Sequence, residues 1–464
     1  MSEAAKFAAA ARPSEAAYPP ARVAWYAAIV LAVLYWVSIL DRFIIALLVD
    51  PIKRDLGLTD LQFSILQGFA VTGTQLLFGL LFGALADRYS RRRLIFAGAS
   101  IWALATAACG FAHSFWHLLL ARLGVGGGEA SLVPCGSSML ADLHPRERQT
   151  RAMAVFSIGS TVGTGTAFLI GGLLIEFITR AGRITIPFMG EIHAWQIAFF
   201  IVSLPGLLIG LLIFTVPEPA RRGRHRSADG RVTWQNSYGA LIEFMRTQPR
   251  FFLCHYVGFM FALLVVTGGV SWYPAHLSRS FGWSPGRVGV NLGLSLAAAG
   301  VVGKLACGYA VDLMYRRGMR DAQFRWYAIC LVLATPVGIV ATTTSNPRLC
   351  VAGVTLLVTL LQPLPAVAFT ALNLVTPNEL RGAGNAFFSA TSGLIGSGAG
   401  ALLMAAASDL IFGGGSSLGR GMALVIAVCC PLGALFLTLG MRPMRQAVAA
   451  ADRSAYRPAS QGTL

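Results

Sequence analysis

The sequence predicts an all-α membrane protein with twelve transmembrane helices in two pseudosymmetric six-helix bundles. Three observations carry that expectation. The composition is 55% hydrophobic and only 12% charged. Twelve apolar runs approach the ~20 residues that a bilayer crossing requires. Loop motifs also recur between the two halves of the chain. A soluble surface usually carries ~25% charged residues, so lipid must cover much of this 464-residue protein. The net charge of +17 is scattered as short basic clusters in loops, which argues against nucleic-acid binding. The eight Cys stand singly in apolar runs, apart from Cys429-Cys430, and show no CxxC or Cys/His ligand spacing. No metal site and no other cofactor is expected from them.

In chain order the apolar runs cover 24–49, 61–86, 94–112, 116–140, 152–176, 195–215, 252–276, 287–311, 325–344, 349–375, 383–408 and 420–441. The Ala/Pro-rich residues 1–22 lack a compact apolar segment and are expected to form a disordered tail, not a cleaved signal. Residues 23–216 then form the N-terminal bundle, 217–250 a linker, 251–442 the C-terminal bundle and 443–464 a second tail. Lys and Arg set the orientation. With both termini inside, inner segments hold 26 of them and outer loops 8, while Arg42, Arg122 and Lys304 fall within spans. Both ends are therefore expected in the cytoplasm. A ratio of 34 Arg to 3 Lys suits a GC-rich bacterial genome and hence the inner membrane. The linker's run Arg221, Arg222, Arg224, Arg226 and Arg231 reads as topogenic charge beside anionic lipid. The amphipathic stretch Tyr238 to Phe244 is expected along the membrane surface.

The repeat is visible in two loops. Gly83-Ala-Leu-Ala-Asp87-Arg88-Tyr-Ser-Arg91-Arg92-Arg93 after span 2 matches Gly308-Tyr-Ala-Val-Asp312-Leu-Met-Tyr-Arg316-Arg317 after span 8, offset by 225. Pro145-Arg-Glu147-Arg148 after span 4 matches Pro377-Asn-Glu379-Leu-Arg381 after span 10, offset by 232. Two six-helix repeats imply a cavity at their interface and alternating access around it. The glycines permit close helix approach. The carboxylates of Asp87 and Asp312 can take Arg partners such as Arg88, Arg91 and Arg316, forming a gate that holds the inner helix ends together in one state. A tight turn with topogenic Arg is the plainer alternative.

Charges inside the spans are costly, at least ~2.5–3.5 kcal/mol each near the bilayer centre, and persist only beside partners or water. Asp41 and Glu129 are the two acidic residues deep in spans. Adjacent Asp41 and Arg42 point ~100° apart on a helix, so each needs its own partner. Arg122 and Glu129 lie two turns apart on one face of span 4. Glu129 is expected with Arg42, and Asp41 near Arg122 or bordering the cavity. Desolvation favours a neutral carboxyl and a nearby Arg an ionised one, so exchange of partners could move protons. This assigns Asp41 as a titrating or gating residue, Glu129 as a second carboxylate and Arg42 as their switchable partner, against a permanent ion-pair cluster as the alternative. Arg122 sits near the outer end of span 4, where snorkelling is an equal prospect. Lys304 is expected to snorkel toward Asp312, with a substrate-phosphate contact as the alternative. His255, near the inner start of span 7, is expected at the interface. Tyr35, Ser38, Gln67, Thr74, Gln75, Asn291, Gln362, Thr370, Asn373 and Asn385 are further cavity candidates, each better explained singly by an interhelical hydrogen bond.

Together these residues resemble the major facilitator superfamily. Gly83–Arg93 resembles its loop 2–3 signature with Ser90 in place of Gly, and Arg122-Leu-Gly-Val-Gly126-Gly-Gly-Glu129-Ala130 resembles its span 4 signature. Leu40-Asp41-Arg42-Phe43, Asp50-Pro-Ile-Lys-Arg-Asp55, Ala86–Arg93 and Gly124–Ala130 are similar to the Spinster family. That resemblance implies movement of lysolipids or sphingoid phosphates, with proton coupling in some members. The drug-antiporter signature is not matched, because Thr164 follows Gly163 where Pro is needed. The expectation is a monomeric, proton-coupled secondary transporter of an amphipathic anion, in contact with membrane lipids. A transporter of small organic anions or drugs is the alternative within that class, and a non-transporting sensor the alternative outside it. No Walker loop supports ATP drive, and no nucleophile or metal constellation supports an enzyme.

Overall fold

The computed structural model describes residues 18–86, 88–180, 184–186, 190–220, 234–413 and 417–455. Asp87, residues 1–17 and 456–464 of the tails expected at 1–22 and 443–464, and the Arg run of the linker lie outside the described residues. The chain is almost wholly helical. Ten helices among the described residues are long and apolar enough to cross a membrane, beginning with Ala21–Leu47 and ending with Leu418–Ala451. The other two expected spans, 4 and 11, are interrupted helices. Span 4 is Phe115–Glu129 followed by Leu132–Leu143. Span 11 runs from Asn378–Ser392 through a widened π turn, Gly393–Ser397, into Gly398–Ala406.

The interruption in span 4 exposes the repeat more sharply than the loops do. Span 10 is Pro347–Leu361 followed by Leu364–Val375. Each boundary of span 4 plus 232 gives the matching boundary of span 10, so the break itself is duplicated. Span 12 continues as helix to Ala455, past the boundary expected at 442. The linker contributes the helix Trp234–Thr247, and the loop between spans 5 and 6 a short antiparallel pair, Ile184–Ile186 with Gly190–Ile192.

Spans 2, 4, 6, 8 and 10 end, and spans 1, 3, 5, 7, 9 and 11 begin, on the face that carries the linker. The opposite, far half of the interface between bundles is tightly packed. Glycine permits it: a Cβ on Gly172 would lie 2.8 Å from Gly289 Cα, and one on Gly165 2.9 Å from Gly293 O, so spans 5 and 8 touch backbone to backbone. On the other side Ser64 Oγ of span 2 donates to Ala401 O of span 11 at 3.2 Å. Span 2 also carries a π turn, Ile65–Phe69, level with this contact. Such turns are frequent at functional sites.

Candidate functional site

The linker half of the interface is open. A cavity of about 490 Å³ runs between the bundles, within the size range of ligand sites. Its walls are the second halves of spans 2 and 4 (Leu76, Gly79, Gly83, Leu132, Val133, Pro134) and the first half of span 11 (Ala386, Ser389, Ala390, Gly393). A Cβ on Gly79 or Gly83 would meet nothing within 4 Å. Apolar and small residues therefore form most of the wall.

The polar residues gather at the deep end, where Tyr35, Ser38, Arg42, Gln75 and Glu129 line the cavity. Arg42 Nε donates to Glu129 Oε2 at 3.0 Å, and its Nη2 binds the same oxygen. Gln75 Nε2 donates to that oxygen too, at 2.8 Å. Glu129 Oε1 is buried and has no hydrogen-bond partner. The carboxylate side chain is fully buried, whereas Arg42 keeps 27% of its side chain exposed. The guanidinium is thus the charged group that an entering molecule meets first. Span 4 ends its first helix at Glu129, so the break at Ala130-Ser131 coincides with the site.

Asp41 points elsewhere, as adjacent residues on a helix must. It is 1% exposed and does not line the cavity. Thr106 Oγ1 of span 3 donates to its Oδ2 at 2.6 Å, and Oδ1 has no partner. Arg122 does not snorkel: it is completely buried, its Nε donates to Leu66 O at 3.4 Å, and both Nη atoms lack partners. It faces inward because span 4 packs that side against the π turn of span 2. Asp41 and Arg122 make no hydrogen bond to each other among the described residues.

The remaining expected residues are dispersed. Lys304 donates to Thr161 Oγ1 of span 5 at 2.9 Å and does not reach Asp312; it bridges the two bundles beside their packed seam. Asp312 and Arg316 are exposed and form no ion pair among the described residues, and Arg88 is exposed as well. Asn373 does not line the cavity and leaves Oδ1 buried without a partner. His255 is 0% exposed, held by Ala368 O at 2.9 Å within a cluster of aromatic rings, and so is not interfacial.

Arg91 is 1% exposed and serves its own bundle instead of bridging two. It binds Asp142, donates from Nε to Glu218 Oε1 at 2.9 Å, and reaches Pro219 O at 2.7 Å. The start of span 3 points it into the bundle, toward the ends of spans 4 and 6. Burial works to raise the Glu218 pKa, but bonds from Ser90, the Arg92 and Arg91 amides and the Arg91 guanidinium outweigh it and lower it. A depressed carboxyl stabilises the fold above its unfolded pKa, and that contribution disappears as pH falls through the folded value. Glu218→Gln is therefore expected to lower thermal stability at neutral pH and to flatten its decline on acidification, which a melting series across pH would measure.

The far face holds an ionic cluster to which the sequence assigned no role, although Asp50 and Lys53 lie in a motif that resembles the Spinster family's. Arg279, in the last turn of span 7, donates to Asp50 Oδ1 at 2.8 Å and to both oxygens of Asp60 at 2.7 and 2.8 Å. Asp60 is 1% exposed and also binds Lys53. Asp50 follows span 1 and Asp60 opens span 2, so this cluster joins the bundles across the closed mouth. Ser284 Oγ donating to Glu176 at 3.0 Å adds a second link there. The available signal was the three Asp crowded into residues 50–60, in a chain with twenty acidic residues in all.

The Major Facilitator Superfamily profile matches residues 31–401. An MFS-type efflux pump of Mycolicibacterium smegmatis is 26% identical over 418 residues, which is 89% of this chain and 92% of that protein. Protein spinster homolog 1 of Xenopus laevis is 30% identical over 262 residues, 54% of this chain. That match spans 46% of the Spinster protein, less than half its length. A bacterial homologue of the human lysosomal transporter Spinster, solved inward-facing and unoccupied, superposes with a TM-score of 0.77 at 22% identity, covering 95% of this chain and 100% of that one. A D-xylose–proton symporter superposes at 0.65 with 16% identity, covering 89% and 96%. At these identities the solved structures establish the shared fold.

Proposed function

Because the chain belongs to the Major Facilitator Superfamily, and so is a multi-pass transporter and not an enzyme, we propose that it carries an amphipathic, lysolipid-like anion together with protons. The observation that supports this reading best is the pairing of a partly exposed Arg42 with a fully buried Glu129 at the polar end of a cavity whose wall is mostly apolar. An anionic headgroup and a carboxylate both suit a guanidinium fork. A headgroup that takes Arg42 leaves Glu129 with Gln75 alone, and a desolvated carboxylate deprived of its cation favours proton uptake. Return of Arg42 favours proton release. Glu129 is thus the first proton carrier, and Asp41, sealed behind it on Thr106, the second, reached when span 1 shifts against span 3.

The cavity wall supports the lipid-like class. Beside Arg42 the wall consists mostly of Gly, Ala, Leu, Val and Pro from spans 2, 4 and 11, a surface that suits an acyl chain. The linker face is cytoplasmic in this reading, as the Lys/Arg distribution requires, and the membrane is a bacterial inner membrane. The Arg279 cluster closes the outer mouth while the cavity is open inward, and an inner gate built on Asp87 and Asp312 takes its place in the other state. A monomer suffices, since both bundles come from one chain. Export of small drugs is a second reading, favoured by the full-length similarity to the mycobacterial efflux pump.

Reconstitution in liposomes with a panel of lysophospholipids, with and without a pH gradient, tests the proposal. Gradient-dependent movement of anionic lysolipids, with little movement of zwitterionic ones, is expected. Movement of lysolipids irrespective of headgroup charge and gradient would reject it.

A further inference from the structure

A second cavity, of about 990 Å³, lies where span 7 begins and span 12 approaches its end, on the linker face. It shares no residue with the cavity that ends at Arg42. Two guanidiniums, Arg250 and Arg442, line it together with Gln446. Both arginines are exposed, and neither has an ion-pair partner among the described residues. About one turn farther into the membrane along each helix, Leu253 and Leu439 line the same cavity, and each is 59% exposed. The amide oxygen of Gln248, at the head of span 7, is buried in the same wall without a hydrogen-bond partner. Charge therefore sits at the mouth and apolar surface beneath it, the order in which a lipid presents headgroup and chain.

We propose that this cavity binds an anionic glycerophospholipid of the adjoining leaflet, with its phosphate between Arg250 and Arg442 and an acyl chain against Leu253 and Leu439. Guanidinium forks match phosphate oxygens, and basic pockets between transmembrane helices on the cytoplasmic side suit anionic headgroups. Thr247, the last residue of the linker helix, forms part of the same wall. A lipid held here spans the junction of linker, span 7 and span 12, and so braces the point where the linker joins the C-terminal bundle.

The test is titration of the purified full-length protein in detergent with phosphatidylglycerol, phosphatidylcholine or inorganic phosphate, with bound lipid counted by native mass spectrometry. Phosphatidylglycerol is expected to saturate a site that phosphatidylcholine does not fill. In Arg250→Gln/Arg442→Gln that site should be lost, and in Arg442→Gln alone half-saturation should need about tenfold more lipid, the loss of one charge-assisted contact. The single change at an exposed side chain keeps the test decisive if the double variant does not fold. Equal uptake of both lipids, competition by inorganic phosphate as effective as the lipid, or unaltered binding in Arg442→Gln would each overturn the proposal.

Discussion

Glu129→Gln is expected to abolish proton-driven accumulation while leaving exchange of substrate across the membrane intact. A glutamine of the same shape keeps span 4 and can still accept from Arg42 and Gln75, but it cannot carry a proton. For coupling of one proton to one substrate, each unit of pH gradient supports up to about tenfold accumulation, since a tenfold ratio corresponds to ~1.4 kcal/mol. In the variant that ratio should fall to about one. Arg42 also loses its competing carboxylate, so an anionic lysolipid should bind more tightly than in the wild type. Transport assays in liposomes with imposed gradients, paired with binding measurements, separate these two effects. Accumulation that persists at the wild-type ratio would remove Glu129 from the coupling mechanism.

The second large effect is expected at the far face. Arg279→Ala removes the cation that Asp50 and Asp60 share, and only Lys53 remains beside Asp60. Unpairing a buried charge costs ~3–5 kcal/mol, and the remaining Lys53 together with the partial exposure of Asp50 reduces this to about 2 kcal/mol. That is roughly a thirtyfold shift away from the closed mouth. Ser64 is 0% exposed behind the cluster, and all eight native Cys are buried. A Ser64→Cys reporter should therefore react with an impermeant maleimide about thirtyfold faster when Arg279 is also replaced by alanine. An unchanged rate would show that the ionic cluster does not hold the mouth shut.

The sequence made some of this legible and hid the rest for identifiable reasons. Arg42 and Glu129 stand out because an apolar span has no ordinary use for charge, and the structure places them in direct contact. Asp50, Asp60 and Arg279 sit at helix ends, where charge is ordinary, so nothing in the sequence alone distinguishes a gate from a solvated loop. Spacing along one helix says which residues share a face but not how that helix is rotated against its neighbours. For that reason the partner of Asp41 is Thr106, a residue type that usually bonds its own backbone, and Arg91 turns toward Glu218 instead of the opposite bundle. The loop motifs revealed the repeat, whereas the duplicated breaks in spans 4 and 10 lie within continuous apolar runs, and Pro363 and Pro365 mark the second of them in the sequence.

The central claim is that a substrate anion and Glu129 compete for Arg42, so that occupancy by one is linked to protonation of the other. Proton uptake on binding tests this most directly. Calorimetric titration of the purified protein with lysophosphatidylglycerol, whose phosphodiester does not titrate near neutrality, can be repeated in buffers of different ionisation enthalpy. The wild type should take up about one proton per lipid bound, and Glu129→Gln none. Binding without proton uptake in the wild type, or the same uptake in both proteins, would contradict it.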